Sequence, residues 1–558
     1  MILGIDVGGT HTDAVLIDHF RIAKKAKVLT DENNLLASLL AVTTELVDEE
    51  NISRLERVVL STTISTNAIV QNKVDRVGLM VISGPGLHPS LLGAPDETHF
   101  LSGYVNHRGV QVEDIDRDQA ERIGAHFRAA GIEHCAIIGK FSPRNPQQET
   151  GLKKLIDNGL HHVSLGHRMS GHLNFPRRIA TTYLNEAVWE RYRHFVTEVL
   201  RFVHERRIDV PIYILKADGG TFDIEQSMEF PVQTILSGPA ASVMGMLTMT
   251  ACKEDAIALD IGGTTTDIAV FADGVPLLEP FGVTIDGRKT LIRGLRTKSV
   301  GVGGDSVVSL QEGKLSVGPK REGPAAAFGG PFPTPTDAMI VLGLTAIGDR
   351  DRAAASLRPI AGAMHRTVEE TAEAIFGETC MAIATHVRAV IEEINNQPVY
   401  TIHEMLDGKR LNPRLLYVVG GPAEPLAAEL GRLLNCEPRI PLHAEVANAV
   451  GAALARTTAE LTIHADTERN LLTIAEEGFQ CAIEPTFTSK DAIRIGTEKL
   501  REKAREMGAA DEDIEIEVVE LQEFNMVREY HTAGKNIRVK VQIKPGAIAG
   551  FKEGMSLC

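Results

Sequence analysis

Two short polar runs, one in each half of the 558-residue chain, carry the residue types best suited to chemistry. Residues 4–13 read G-I-D-V-G-G-T-H-T-D and residues 258–267 read A-L-D-I-G-G-T-T-T-D. At one constant offset they align Asp6 with Asp260, Gly8 with Gly262, Gly9 with Gly263, Thr10 with Thr264, Thr12 with Thr266 and Asp13 with Asp267. An Asp closing an apolar run, two glycines that let the backbone turn tightly and hydroxyls at the tip read as a β-hairpin. Such a loop offers backbone N–H groups and hydroxyls to a phosphate, while its Asp can hold a metal ion or a water. One D-x-G-G-T also suits an ordinary turn; its repetition within one chain is what points to function. Thr10, Thr12, Thr264, Thr265 and Thr266 are the candidate phosphate donors, whereas Asp13 and Asp267 are expected to brace the hairpin backbone.

The surrounding pattern supplies the elements that position these loops. Further strands are expected at 14–18, 22–29, 58–60, 77–83, 135–139, 212–216, 415–419 and 436–440. Helices are expected at 33–49, 117–130, 145–157, 368–396 and 446–455, and one long helix at 175–206. Strands alternating with helices, with apolar strands throughout, indicate an α/β fold whose sheets are covered by helices. From about residue 458 charge rises and glycine thins. Residues 514–521 and 537–543 alternate apolar and polar as antiparallel strands do, with a Lys/Glu-rich amphipathic helix at 490–507 before them. The expected division is 1–215, 216–457 and a small α+β C-terminal domain at 458–558.

Composition narrows the classes. The chain is too long for one core, and 43% hydrophobic residues suit a globular protein. A net charge of −16 without a basic, aromatic-interleaved patch excludes a nucleic-acid surface as an expectation. Neither a leader peptide nor an apolar run of membrane-spanning length is seen, so no membrane partner and a cytoplasmic location are expected. The six cysteines (Cys135, Cys252, Cys380, Cys436, Cys481 and Cys558) have no C-x-x-C spacing and read as reduced thiols.

In order, D-V-G-G-T-H-T-D, D-I-G-G-T-T-T-D and V-V-G-G-P-A-E-P (418–425) resemble the phosphate-1, phosphate-2 and adenosine elements of the acetate/sugar kinase, heat-shock chaperone and actin superfamily. The resemblance implies two actin-like (ribonuclease H-like) domains that clamp ATP and Mg²⁺ between them. The flanking text is closer to the hydantoinase A/5-oxoprolinase family. It comprises S-T-T-I-S-T-N-A (61–68), F-S-P-R-N-P-Q-Q-E (141–149), F-P-R-R-I-A-T-T-Y-L-N-E-A (175–187), K-A-D-G-G-T (216–221), P-V-Q-T-I-L-S-G-P-A-A-S (231–242) and P-T-P-T-D-A (333–338). Members of that family use ATP to open cyclic amides such as hydantoins and 5-oxoproline, and relatives are subunits of acetone and acetophenone carboxylases. A B-type partner subunit, or a homo-oligomer, is therefore expected. His11 stands where many relatives carry an aromatic or small residue, and G-V-G-G-D (301–305) replaces a longer glycine run.

Under that resemblance Asp6 and Asp260 hold hydrated Mg²⁺, and one of them orients the nucleophile; the plainer alternative is a pair of turn aspartates. Nucleotide contacts are expected from Gly8, Gly9, Thr10, His11, Thr12, Gly262, Gly263, Thr264 and Thr265, and from Gly420, Gly421 and Pro422, although G-G-P also marks an ordinary strand-to-helix turn. Gly303 and Gly304 would close over the nucleotide or form a β-turn. Substrate candidates are Thr62, Thr63, Asn67, Lys216, Asp218 and Arg178. Phosphorylating the amide carbonyl oxygen would create a leaving group that water displaces. For residues 61–67 the alternative is a helix start capped by Ser65 or Thr66. His161, His162, His167 and His172 lack a metal-like spacing and read as a solvated loop; Trp189 most simply packs the long helix. The reading is an ATP-dependent hydrolase subunit acting on a small cyclic amide or carbonyl compound. The alternatives are a carboxylase subunit, a chaperone-like ATPase that remodels a partner enzyme, and a small-molecule kinase.

Overall fold

The computed structural model describes residues 1–9, 11–31, 34–86, 95, 97–156, 159–250, 252–279, 281–311, 313–396 and 410–548. Contacts divide them into two compact units. The first comprises Met1–Gly238, Glu279–Gly294 and the described part of the stretch from Ala455; the second comprises Pro239–Leu278 and Leu295–Leu454.

Both units are built on the same sheet. In the first, Ile2–Val7 lies between His11–Asp18, which is antiparallel to it, and Arg57–Thr62, which is parallel. Arg21–Leu29 extends the antiparallel side, and Ile212–Leu215 followed by Thr221–Asp223 extends the other. In the second, Ala256–Ile261 lies between antiparallel Thr266–Ala272 and parallel Leu415–Val419, with Val275–Pro276 and Glu437–Arg439 outside them. Taken in chain order, both sheets share the path 3-2-1-4-5; the first adds Thr221–Asp223 beyond its fifth strand, and in the second Thr297–Val300 also pairs with Thr266–Ala272. That shared order is the duplicated actin-like, ribonuclease H-like arrangement expected from the twin motif. Register makes the duplication exact at the motif: Asp6 faces Asp13 across one hairpin and Asp260 faces Asp267 across the other. The central strand Ile2–Val7 is buried along its whole length, as a strand covered on both faces must be.

The first unit also holds a four-stranded parallel sheet of Thr98–Phe100, Val77–Ile82, His134–Gly139 and His162–Leu165. The stretch expected to be one helix forms two, Phe175–Ala187 and Trp189–Arg206. They break at Val188, where Trp189 lays its ring on His162 (centroids 4.4 Å apart) and donates its Nε1–H to the Met228 carbonyl at 3.0 Å. Trp189 therefore joins elements rather than packing within one helix. In the second unit the helix Val368–Asn395 is long and apolar enough in composition to cross a membrane. Ile375, Cys380, Ile383 and Val387 on it have no exposed surface and belong to the unit's cores, as in a core helix. The five cysteines among the described residues are free thiols; Cys558 lies outside them.

The chain is not partitioned at residues 215 and 457. Beyond residue 458 the two expected strands and the helix are present, as Ile516–Arg528, His531–Ile543 and Ser489–Glu506, and Glu460–Asp466 is a further strand of the same sheet. They do not form a core of their own. Leu461, Ile463, Val539 and Val541 share one apolar cluster with Leu3, Ile5, Phe195 and Phe202, because the inward faces of this sheet and the first unit's elements are each other's cover. Leu461→Ala is expected to cost about 2–5 kcal/mol of stability. In hydrogen exchange it should deprotect the amides of Ile2–Val7 together with those of His531–Ile543; unchanged protection in the first strand would show two independent cores.

Candidate functional site

In the second unit three distant stretches meet at one hairpin. Gly262 N donates to Thr265 O at 2.9 Å and closes the turn. The G-V-G-G-D stretch packs backbone to backbone on it: Gly304 N donates to Gly262 O at 2.9 Å and Asp305 N to Gly263 O at 2.6 Å. A Cβ on Gly303 would lie 2.6 Å from both of those carbonyl oxygens. Thr336 N and Oγ1 both donate to Gly304 O, at 2.8 and 2.7 Å, tying P-T-P-T-D-A to the same loop. Gly420, with φ +100°, passes so close that a Cβ would lie 2.2 Å from Ile261 O and 2.9 Å from Asp260 Oδ1. Pro422 then caps the helix Ala423–Leu434 and lies against Gly304. Asp260 is thus held where the motifs converge. Its Oδ2 accepts from Ser242 Oγ at 2.5 Å, and Asn448 Oδ1 lies 2.9 Å from the same hydroxyl.

The first unit repeats the carboxylate's setting with other partners. Gly8 N donates to His11 O at 3.0 Å, and Asp6, 6% exposed, accepts from Ser61 Oγ at 2.5 Å through Oδ1. Residues 61–68 and 231–238 lock together around it. Ser237 Oγ donates to Thr62 O (2.7 Å), Leu236 N to Thr66 Oγ1 (2.9 Å), and Ser65 Oγ lies 3.1 Å from Thr234 Oγ1.

The charges differ between the two settings. Asp13 pairs with Lys27 Nζ at 2.8 Å, so it braces the hairpin through a side chain on the third strand. Asp267 has no such cation; burial and the Asp260 charge push its carboxyl up to about 6. Each carboxylate taken by itself has oxygen neighbours, Ser61 Oγ at Asp6 and Ser242 Oγ with Asn448 Oδ1 behind it at Asp260, a donor type that fits a hard cation.

The hydantoinase/oxoprolinase family model matches residues 178–461, and the model of its N-terminal region matches residues 2–160. The chain belongs to the hydantoinase/oxoprolinase family. Among its relatives, caprolactamase subunit alpha of Pseudomonas jessenii is 25% identical over 385 residues, covering 62% of this chain and 55% of that one. The 5-oxoprolinase of Saccharomyces cerevisiae is 32% identical over 245 residues, 42% of this chain and 18% of that one. The chain thus spans about half or less of the length of these relatives. In fold, a nucleotide-free acetone carboxylase structure superposes with a TM-score of 0.74 at 17% identity, covering 99% of this chain and 88% of that chain.

Within this family member not every expected contact residue is available. Thr12 and Thr266 open the second strand of each hairpin, and strand alternation turns both inward. Thr12 Oγ1 lies 2.9 Å from Thr30 Oγ1, and Thr266 Oγ1 donates to Val302 O at 2.7 Å. Both are buried in the sheet and cannot serve a phosphate. Gly9, His11, Thr264 and Gly421 are exposed, and Thr265 partly so; Thr10 lies outside the described residues. The Gly303–Gly304 stretch is the hairpin's brace.

Among the substrate candidates, Lys216 and Asp218 line a partly open cavity in the first unit, where Arg293, Thr458, Glu460 and Glu476 meet apolar side chains such as Phe222, Phe230 and Leu291. Lys216 Nζ donates to Thr458 O at 2.7 Å and lies 3.6 Å from Asp218 Oδ2, which is 3.4 Å from Arg293 Nη1. Burial pulls the Lys216 ammonium below its ordinary pKa, with Asp218 opposing. Burial would raise Asp218, but Lys216 and Arg293 hold it below the usual carboxylate range. Thr62, Thr63 and Asn67 do not line this cavity. Thr62 and Thr63 instead start the helix Ile64–Val70: Thr62 Oγ1 accepts from Ile64 N at 3.2 Å, and Asn67 Nδ2 donates to Thr63 Oγ1 at 3.3 Å. The cap is therefore Thr63, neither Ser65 nor Thr66, whose hydroxyls are taken by residues 234 and 236. Arg178 is a brace, fully buried and donating to the carbonyls of His172, Gly139 and Lys140.

Of the four histidines read as a solvated loop, His161 is exposed, whereas His162 and His167 are held by buried carboxylates. His167 Nδ1 lies 2.5 Å from the buried Glu149 and His162 Nδ1 2.8 Å from the buried Glu186. Ser242, Asn448 and Ser61 are the site residues missed; the first and last stood inside motifs already singled out, whereas Asn448 lies in a plain small-residue helix.

Proposed function

We propose that the chain is the nucleotide-handling subunit of an ATP-dependent enzyme that activates a carbonyl oxygen of a small cyclic amide, of hydantoin or 5-oxoproline type, so that the ring opens. The observation that carries the reading is the convergence of residues 260–263, 303–305 and 420–422 on one loop, in a fold that repeats the same hairpin at Asp6. Exposed glycine N–H groups and the Thr264 and Thr265 hydroxyls supply phosphate donors, and Asp6 and Asp260 are the carboxylates for Mg²⁺. ATP supplies the phosphoryl group. The cavity at Lys216 and Asp218 takes the amide: Lys216 presents a donor to a carbonyl oxygen, and Asp218 with Thr458 holds that ammonium in place.

Family membership and the names of relatives, a caprolactamase subunit and a 5-oxoprolinase, support a lactam-type substrate. A relative named as a subunit supports a B-type partner subunit; a homo-oligomer is the alternative. The fold shared with acetone carboxylase favours a second reading, in which bicarbonate or an enolate is activated.

The test is ADP release over a panel of lactams, cyclic imides and bicarbonate, with and without a B-type subunit. A lactam-dependent rise is expected; bicarbonate-dependent turnover would favour the carboxylase, and stimulation by a protein partner alone a chaperone-like ATPase. Asp218→Asn and Lys216→Arg are expected to raise KM for the stimulating amide by about tenfold, the loss of roughly 1.4 kcal/mol of binding, with the Kd for ATP unchanged. An unchanged KM in both would remove this cavity from the substrate site.

A further inference from the structure

Away from both hairpins, three elements of the first unit bring metal-ligating side chains to one point. His134 opens the strand His134–Gly139, His161 precedes the strand His162–Leu165, and Glu190 stands in the first turn of the helix Trp189–Arg206. One potential ligand atom from each lies within 4.8 Å of the other two. His134 is 5% exposed, while His161 and Glu190 open the cluster to solvent.

The cluster is built rather than incidental on two counts. First, Glu186 is wholly buried and lies 3.0 Å from His134 Nδ1, while its other oxygen meets His162 Nδ1 at 2.8 Å and Ser164 Oγ at 2.6 Å. With Nδ1 engaged by a carboxylate, Nε2 is the nitrogen of His134 left to bind, and a buried carboxylate behind a histidine is the usual outer support of a metal ligand. Secondly, Asp75 has a buried Oδ2 with no hydrogen-bond partner among the described residues. Burial pushes its carboxyl up; His134 and Arg191 oppose that rise, and the Glu190 and Glu186 charges add to it. A buried acid oxygen without a hydrogen-bond partner, next to two other carboxylates, adds to the negative potential that a bound cation would lower. Glu190 also meets Arg193 through Nε at 3.0 Å and through Nη2. That partly exposed i,i+3 pair is worth little and leaves carboxylate lone pairs for a metal.

We propose that His134, His161 and Glu190 form a binding site for a divalent transition-metal ion of the zinc class, with Asp75 completing its negative surround. Two imidazoles and one carboxylate select Zn²⁺, Co²⁺ or Ni²⁺ over Mg²⁺ and Ca²⁺, which take all-oxygen sets. The ion clips the parallel sheet to the helix Trp189–Arg206, and the site is separate from the proposed nucleotide residues.

Trp189, the only tryptophan in the chain, reports on it: its ring is 6.0 Å from that of His134 and stacked on His162. The tag-free, metal-stripped full chain is titrated with Co²⁺ while Trp189 fluorescence is read, and with Zn²⁺ while thermal unfolding is followed. Saturable quenching at one ion per chain is expected, with a higher unfolding temperature in Zn²⁺ because the ion binds the folded state. His161→Ala, a change at an exposed side chain, should weaken both responses at least tenfold, and Glu186→Gln should weaken them without removing a ligand. No quenching in millimolar Co²⁺, equal responses to Mg²⁺, or unaltered affinity in His161→Ala would each overturn the assignment.

Discussion

Asp6→Asn and Asp260→Asn are each expected to lower ATP turnover on the order of 10²–10³-fold, the range seen when a group that stabilises developing charge is removed, while the protein stays folded. Both carboxylates end the buried first strand of a hairpin and accept a serine hydroxyl at 2.5 Å, from Ser61 and Ser242 respectively. Asparagine keeps the shape and one acceptor oxygen, so the serine contact survives and only the charge is lost. In phosphoryl transfer the protein contributes positioning and charge neutralisation, so that loss falls on the reaction rather than on the fold. The two substitutions should differ in stability. Asp267 is pushed up to about 6 by burial and by Asp260. A carboxyl raised in the folded state costs nothing below its unfolded pKa, and its penalty grows as pH rises towards 6. Removing the Asp260 charge takes away one of the two causes, so Asp260→Asn should be at least as stable as the native chain at pH 7. Across the other hairpin Asp13 is paired with Lys27, so the same gain is not expected of Asp6→Asn. An ADP-release assay with a thermal melt at pH 5 and pH 7 checks both; near-native turnover in both variants would sink the magnesium assignment.

How much of this was legible beforehand follows from the range over which each signal acts. The hairpins, the sheet order and the convergence of the Gly420 turn rest on local strand–turn–strand text repeated twice, and local text is what a sequence displays. Side-chain direction at the start of the second strand is set by register, and so the hydroxyls of Thr12 and Thr266 read as phosphate donors although both face the interior. Helical periodicity runs unbroken through 175–206, because the break at Val188 leaves apolar spacing on both sides intact. Alternation at 537–543 shows that one face is buried but cannot say against what, which is why a shared core looked like a separate domain. His162 and His167 looked solvated for a related reason. Their partners, Glu186 and Glu149, sit on other helices, and a charge pair formed across elements leaves no spacing to read. Lys216 and Asp218 announced themselves as a polar turn, whereas Arg293 and Thr458, which complete the cavity, are 75 or more residues away.

Gly303→Ala is expected to have the second large effect, and it tests whether the G-V-G-G-D stretch is a brace or a flap. The added methyl would sit 2.6 Å from Gly262 O and Gly263 O, and backbone cannot rotate away as the end of a side chain can. The loop must lift, and with it go the bonds from Gly304 N and Asp305 N to those two carbonyls. Overpacking costs about 1–3 kcal/mol and each of the two hydrogen bonds about 1 kcal/mol, so a loss of roughly 3–5 kcal/mol is expected. Because the displaced carbonyls belong to Gly262 and Gly263, the loop that carries the proposed phosphate donors Thr264 and Thr265 moves with them, and ATP affinity should fall at least tenfold as well. Gly362→Ala is the contrast. It lies in the helix Arg350–Met364 with open space where a methyl would go, and alanine there should stabilise by about 0.5–1 kcal/mol. Denaturant melts and fluorescent-nucleotide titration of the two variants separate the readings. A flap would lose nucleotide affinity at native stability; a brace loses both, since the loop that shapes the phosphate site is the loop that holds the hairpin.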